Sequence, residues 1–477
     1  MIDISSLKKG HWPIFFISLL SAVANLLLPM GLVRLLSPEE IGLYKVFFLY
    51  AQSIIYISLA GGPLYSVYYW VGKKEHTNEY LSQAWLLNSI LSISCALIGL
   101  IFLPQISNYT SIPEKYVVLL IISAITSAPG GFFGEYLTAK GDRIKGSIFN
   151  SGFEIVKAFL IIGLVYINRD IHYAFWGYTI LFILKVVLAQ LFLIKENIVS
   201  FKLNKAYMSE VLKYCMPISI SGAMSFVVEK IDMIILSSRL DPIHFAYYSM
   251  GSLIIPPLLL LEMSVQKVLV PNLSRAFHHQ NEGEMIKHFL KAQTDIAHIM
   301  IPAVFGLIIF NRPIIELLFT STYLESALFL KIYAFTYLTY IIPHDSIPRA
   351  TGNTKWIFKM YILLTPISIM TVYFCAGKFG AVGALASSIS FMYVPKIPGL
   401  IYSAKLTKSS IAKILAFNSF LYFGFINILL TIACFATQSF FPNEKWWFLI
   451  CSPLYALIYL GITHFYPPYK KKEEIHE

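Results

Sequence analysis

Several charged side chains stand where charge is expensive to place. Glu154, Lys157 and Lys185 fall in the middle of long apolar runs. Glu262 and Lys396 lie toward one end of theirs, and Lys45, Glu229, Lys230, Asp232 and Lys331 toward the other. A charge at the centre of a bilayer costs at least about 2.5–3.5 kcal/mol, so each needs a neutralising partner, water or a ligand. Glu154 and Lys157 are three residues apart, a spacing that lets an acid and a base meet on one helix face. Lys185, Lys230, Lys331 and Lys396 read as unmatched. Together with Lys157 they suit an anionic substrate, because lysine serves a phosphate as a point charge. Glu229 and Asp232 also share a helix face by spacing. With Glu154 they are candidates for a coupling Na+ or H+, or for pairing with Lys45. No other cofactor or metal is expected.

The elements that carry these charges follow from composition. Of 477 residues, 57% are hydrophobic and 13% charged, against about 25% charged in soluble chains. Mean hydropathy is +0.67. That excludes a soluble enzyme, a disordered scaffold and a nucleic-acid binder. A span needs about 20 mostly apolar residues, and on that measure about fourteen helical spans are expected. They fall near 11–36, 40–70, 80–103, 114–139, 144–167, 171–194, 209–238, 244–268, 293–311, 326–347, 356–376, 380–404, 412–437 and 446–466. The first reads as a retained span and not as a cleaved signal. With the N-terminus cytoplasmic, 22 basic residues fall on the cytoplasmic side, among them Lys8, Lys9, Lys73, Lys74 and Lys470 to Lys472, and 7 outside. The bias holds at every loop and places both termini in the cytoplasm. Most of the net charge of +11 is thereby topological, and no nucleic-acid partner is needed.

Residues 36–44, LSPEEIGLY, and 240–248, LDPIHFAYY, share Leu, Pro and Tyr at equal places. Each presents a capping residue before a proline, Ser37-Pro38 and Asp241-Pro242, which signals a helix start. AKGDRIKGSIF at 139–149 and ATGNTKWIF at 350–358 form a second pair. Two anchors at similar offsets predict an all-α fold of two parallel six-helix halves. The expected units are 1–200, 201–405, and 406–477 with two appended helices and a basic tail. Gly61, Gly62, Pro63, Pro129, Gly130, Gly131, Pro256 and Pro257 are candidate hinges inside spans. The longest connection is expected at 269–292, ending in an interfacial helix with Met285, Ile286, Phe289 and Leu290 on its apolar face.

No phosphate-binding GxxxxGK[ST], HExxH, GxSxG or Ca2+-loop pattern occurs. Cys95, Cys215, Cys375, Cys434 and Cys451 lie far apart in apolar stretches, which excludes a CxxC-type metal cluster. His278 and His279 read as a solvated pair.

The runs GLVRLLSPEEIGLYKVFF at 31–48 and DMIILSSRLDPIHFAYYSMG at 232–251 resemble the loops of bacterial polysaccharide flippases, as do the AKGDRIK and ATGNTK turns. The hydropathy profile is similar along the whole chain. The resemblance is to the multidrug/oligosaccharidyl-lipid/polysaccharide exporter superfamily, in its O-antigen (Wzx-like) branch. It implies a transporter in the bacterial inner membrane that moves an undecaprenyl-pyrophosphate-linked oligosaccharide by alternating access. The partners it implies are that lipid-linked oligosaccharide and membrane lipid, with a polysaccharide polymerase and chain-length proteins nearby. A cation-coupled multidrug or metabolite antiporter is the alternative within the superfamily. A membrane-embedded polymerase or acyltransferase is the alternative from a different class. That class needs a large outer loop or a deep catalytic histidine, whereas His298 and His344 stand near the inner boundary.

Overall fold

The structure is a computed structural model and describes residues 11–73 and 75–467. Lys8, Lys9, Lys74, Lys470 to Lys472 and both termini, used above for orientation, lie outside the described residues. The described regular elements are all helical. The chain divides into two compact units, Met1–Ala246 and Tyr247–Glu477.

The first unit holds α1 (His11–Leu32), α2 (Pro38–Ile57), α3 (Gly61–Tyr65), α4 (Val67–Gly72), α5 (Thr77–Ile101), α6 (Leu103–Thr110), α7 (Glu114–Lys140), α8 (Arg143–Asn168), α9 (His172–Lys195) and α10 (Lys205–Ser237). The unit boundary falls within α11 (Pro242–Gly251). The second unit holds α12 (Pro256–His278), α13 (Glu282–Ile309), α14 (Asn311–Phe319), α15 (Ser326–Tyr333), α16 (Ser346–Ala350), α17 (Thr354–Tyr393), α18 (Lys396–Leu406), α19 (Ile411–Ile414), α20 (Phe417–Thr437) and α21 (Glu444–Phe465).

Among the described residues, eleven helices are long and apolar enough to cross a membrane. Two bent pairs qualify together: α2 with α3–α4, bent by 72°, and α11 with α12, bent by 50°. One of the eleven is the 52-residue stretch Lys355–Leu406. At 1.5 Å per residue it is roughly 78 Å long, more than twice a ~30 Å hydrocarbon core. It is interrupted at Gly380, where φ is 63° and ψ −152°. Taking each bent pair as one span and this stretch as two recovers the fourteen expected. The chain is a multi-pass membrane protein.

The helix starts read from the repeat are present. Ser37 and Glu40 form the capping box that opens α2. Asp241 caps α11 by accepting from the N–H groups of Ile243 and His244, at 3.0 and 3.1 Å.

The long connection expected at 269–292 is not there. α12 continues to His278 and α13 starts at Glu282, so a turn of three residues joins them. Met285 and Phe289 are buried against Leu269, Leu273, Ala276 and Ile347. The apolar stripe read as membrane-surface is covered by protein; the stripe alone does not say what covers it.

In the first unit α10 runs antiparallel along α2–α4. Tyr50 shares a 2.9 Å hydrogen bond with Ser237. Farther along, Tyr56 stacks on Phe226 at 4.5 Å and Tyr69 on Tyr214 at 4.1 Å. Around the Tyr69 end Trp70, Tyr80, Trp85 and Phe132 form a buried core.

Candidate functional site

The bend after α2 is a built feature. Leu59 has a left-handed φ of 58°, and the helical ladder is interrupted around it. Backbone groups released inside a membrane must find partners in protein. The Ser219 hydroxyl of α10 donates to the Leu59 carbonyl at 2.6 Å and accepts from the Gly62 N–H at 3.2 Å. The Asn88 amide of α5 donates to the Ala60 carbonyl at 3.0 Å. A Cβ on Gly62 would lie 2.1 Å from Ser219 Oγ and 2.5 Å from the Cys215 carbonyl, so only glycine lets α10 approach this closely. Gly61, Gly62 and Pro63 are all buried here.

The second break follows the same logic with a different residue. The Ile255 N–H donates to the Tyr337 hydroxyl at 2.7 Å, and that hydroxyl donates to the Leu253 carbonyl at 2.9 Å. Pro256 and Pro257 open α12 immediately after it. Pro129, Gly130 and Gly131 differ from these two sets: α7 runs through them without a break.

The charge cluster of the first unit lies on α8 and α9. Lys157 is buried and forms an ion pair with Glu154, one turn before it on α8. Lys185 of α9 is 6% exposed. Its ammonium stands 5.9, 5.7 and 5.5 Å from the ring centroids of Phe149, Phe153 and Phe182. Such cation–π contacts contribute about 0.5–2 kcal/mol each, more when desolvated. Among the described residues no carboxylate lies at ion-pair distance from Lys185; Glu154 and Glu135 act on it from farther away. A cavity of about 160 Å³ opens beside the pair, lined by Gln52, Ser127, Glu154, Lys157, Tyr178 and Phe182 among others. The Lys157–Glu154 pair thus lines the cavity, and Lys185 stands within electrostatic reach of Glu154 and Glu135.

The other residues singled out in the sequence are spread more widely. Lys230, read as unmatched, pairs with its neighbour Glu229 at 3.0 Å. Glu229 goes to Lys230 in place of the pairing considered with Lys45, and its side chain is 48% exposed. Asp232 is buried, so the two acids do not share an environment. Lys331 is exposed in the last turn of α15 and lines an open cleft with Arg312 and Glu325. The Lys396 ammonium donates to the Ile342 carbonyl at 3.2 Å and meets His344 Nδ1 at 3.2 Å.

Sequence reasoning missed Ser219, Asn88 and Tyr337, which hold the bends, and Gln52 and Ser127 at the cavity. Each is a single polar residue within an apolar span. That signal exists, but it does not say which backbone break the residue serves.

The family described as Polysaccharide biosynthesis protein matches residues 32–328. No curated protein sequence matches the chain. Among solved structures it is similar to a lipid II flippase, MurJ, in an inward closed conformation. That match has 19% identity and a TM-score of 0.71, and covers 95% of this chain and 98% of that one. An inward-facing multidrug resistance MATE family transporter of the MOP superfamily matches at 15% identity and a TM-score of 0.56, covering 84% and 100%. The Vibrio cholerae MATE transporter VcmN in its bent form matches at 14% identity and a TM-score of 0.52, covering 83% and 95%. At these identities the likeness is one of fold.

Proposed function

The chain belongs to the polysaccharide biosynthesis protein family, and from that premise we propose that it is a flippase for a lipid-linked oligosaccharide. The substrate is a glycan joined through pyrophosphate to undecaprenol, an O-antigen or other surface-polysaccharide repeat unit. The chain moves it across the bacterial inner membrane by alternating access, as a transporter and not an enzyme, with both termini cytoplasmic. A polymerase and chain-length proteins would use the product.

The observation that carries the proposal is Lys185. Its ammonium is buried over three phenyl rings, and among the described residues no carboxylate lies at ion-pair distance from it. A cation left so is costly unless an anion visits it. A pyrophosphate brings that anion, and Lys157 lies in the same cluster. Asp232, Glu154 and Glu229 remain the candidates for a coupling Na+ or H+.

The test is reconstitution in proteoliposomes with a lipid-linked oligosaccharide, following its appearance in the opposite leaflet. Complementation of a strain lacking its own flippase runs in parallel. Lys185→Gln should lower the rate at least about tenfold, equivalent to 1.4 kcal/mol. Lys185→Arg should keep part of it, since arginine preserves charge but changes geometry. Lys331→Gln, at an exposed site, should cost little. Full flipping by Lys185→Gln at normal expression would refute the anionic-substrate reading. Efflux of a cationic dye without lipid turnover would mark an antiporter instead.

A further inference from the structure

We propose that Tyr65, Tyr68 and Glu135 form a subsite for a sugar ring of the transported glycan. The proposal rests on the flippase reading and adds where the sugars sit.

The short helices α3 and α4 have two unlike sides. Leu64, Val67 and Trp70 are 4%, 0% and 1% exposed, whereas Tyr65, Tyr68 and Tyr69 are 51%, 47% and 47% exposed. The second set has the spacing of one helix face. An exposed aromatic face on a membrane protein could simply meet lipid. This one is tied to a carboxylate. Tyr68 lies within electrostatic reach of Glu135 of α7, and of Thr138 and Arg143 beside it. The Asn150 amide of α8 donates to the same carboxylate at 3.2 Å, and Tyr65 lies within electrostatic reach of it. A partly exposed carboxylate among such neighbours belongs beside water and not against hydrocarbon. The face therefore lines a wet region.

Its position relative to the lysines fits a single ligand. Lys185 is within electrostatic reach of Glu154, Lys157 and Glu135, and its stem packs beside Gly130 of α7, where an added Cβ would lie 3.6 Å from Lys185 Cγ, five residues before Glu135. Glu135 stands five residues before the end of α7 at Lys140, roughly 8 Å along the axis. The aromatic face thus adjoins the lysine cluster on the side of the α7–α8 turn, which is cytoplasmic in the orientation expected from the charge bias. In a pyrophosphate-linked glycan the first sugar is bonded directly to the anionic group, so a ligand with its phosphates on the lysines reaches this face with its sugars.

The chemistry matches a pyranose. A sugar ring has an apolar C–H face that lies on an aromatic ring and hydroxyls that need acceptors. Tyrosine offers a rigid ring with a polar tip. An ionised carboxylate is an acceptor only, with two oxygens suited to neighbouring hydroxyls. Glu135 is held in place by the Asn150 amide, so less ordering remains to be done on binding. Lysines can hold any pyrophosphate; a ring-and-carboxylate face can tell a glycan from a bare carrier.

The experiment measures binding of two probes to the purified full-length chain: a lipid-linked oligosaccharide, and the same undecaprenyl pyrophosphate without sugar. The wild type should bind the first about tenfold more tightly, a difference of one decade in Kd. Glu135→Gln and Tyr65→Leu should bring the two affinities together while leaving the bare carrier within about twofold of wild type. Tyr65 is half exposed, so its replacement tests the idea even if Glu135→Gln folds poorly. Lys185→Gln should weaken both probes and keep their ratio. A preserved tenfold ratio in Tyr65→Leu and in folded Glu135→Gln would overturn the subsite. Equal binding of both probes by the wild type would overturn it too, with the flippase reading intact. Binding of neither probe would overturn the flippase reading, and the subsite with it.

Discussion

Replacing Ser219 with alanine removes one oxygen and strands two backbone groups. The hydroxyl accepts from Gly62 N–H at 3.2 Å and donates to the Leu59 carbonyl at 2.6 Å. Ser219 is 4% exposed, so water does not readily replace it. A buried polar group left unsatisfied costs about 1–3 kcal/mol. Two of them give about 2–6 kcal/mol, and about 3 kcal/mol after some relaxation of the bend is a reasonable centre. For a unit of this size each kcal/mol moves the melting midpoint by about 2–4 °C, so a fall of about 6–12 °C is expected. The assay is thermal unfolding of the purified chain followed by tryptophan fluorescence. Ser264→Ala is the control, because that hydroxyl is exposed and only returns to its own helix at Leu260; its midpoint should stay within about 1 °C. A Ser219→Ala midpoint within about 2 °C of wild type would show that the bend does not depend on this bridge.

Gly62→Ala places a methyl 2.5 Å from the Cys215 carbonyl, a backbone clash expected to cost at least about 3 kcal/mol and most of the folded yield. Gly130→Ala meets Lys185 Cγ at 3.6 Å and Lys185 Cδ and Val186 N at 3.7 Å, all ordinary contact distances. It should be neutral or stabilising by up to about 1 kcal/mol, read from the same melting curves. Tyr337→Phe should strand Ile255 N–H and Leu253 C=O, lowering stability by about 2–6 kcal/mol in the same melting curves. Glu196 accepts from Lys140 and Tyr136, each at 2.8 Å. Chiefly the Lys140 bond holds its carboxyl below the usual carboxylate range. A lowered carboxyl stabilises the fold above its unfolded pKa of about 4.3 and stops doing so as the pH falls through that region. The midpoints of Glu196→Gln and wild type should therefore differ at neutral pH, and the gap should close as the pH falls below the unfolded value and through the lower folded one. A gap that stays constant across pH would exclude the carboxylate as its cause.

What the sequence alone determined is what the bilayer and the nearest turn impose. Apolar length sets the spans, because hydrocarbon admits no unpaired backbone. Ser37 and Asp241 cap their helices, and Glu154 meets Lys157, because those partners lie within one turn along the chain. The place of Lys185 midway along its helix was legible for the same reason, as a count of residues. Its surroundings were not: Phe149 and Phe153 come from another helix, and nothing in their spacing points to α9. Ser219 and Gly62 are 157 residues apart, and the glycine is required only because α10 passes so close. Met285 and Phe289 show the same amphipathic stripe whether lipid or protein covers them, and only packing decided for protein. Contacts within four residues follow from helix geometry. Contacts between helices depend on which faces close on one another, and that is settled when all the spans have packed.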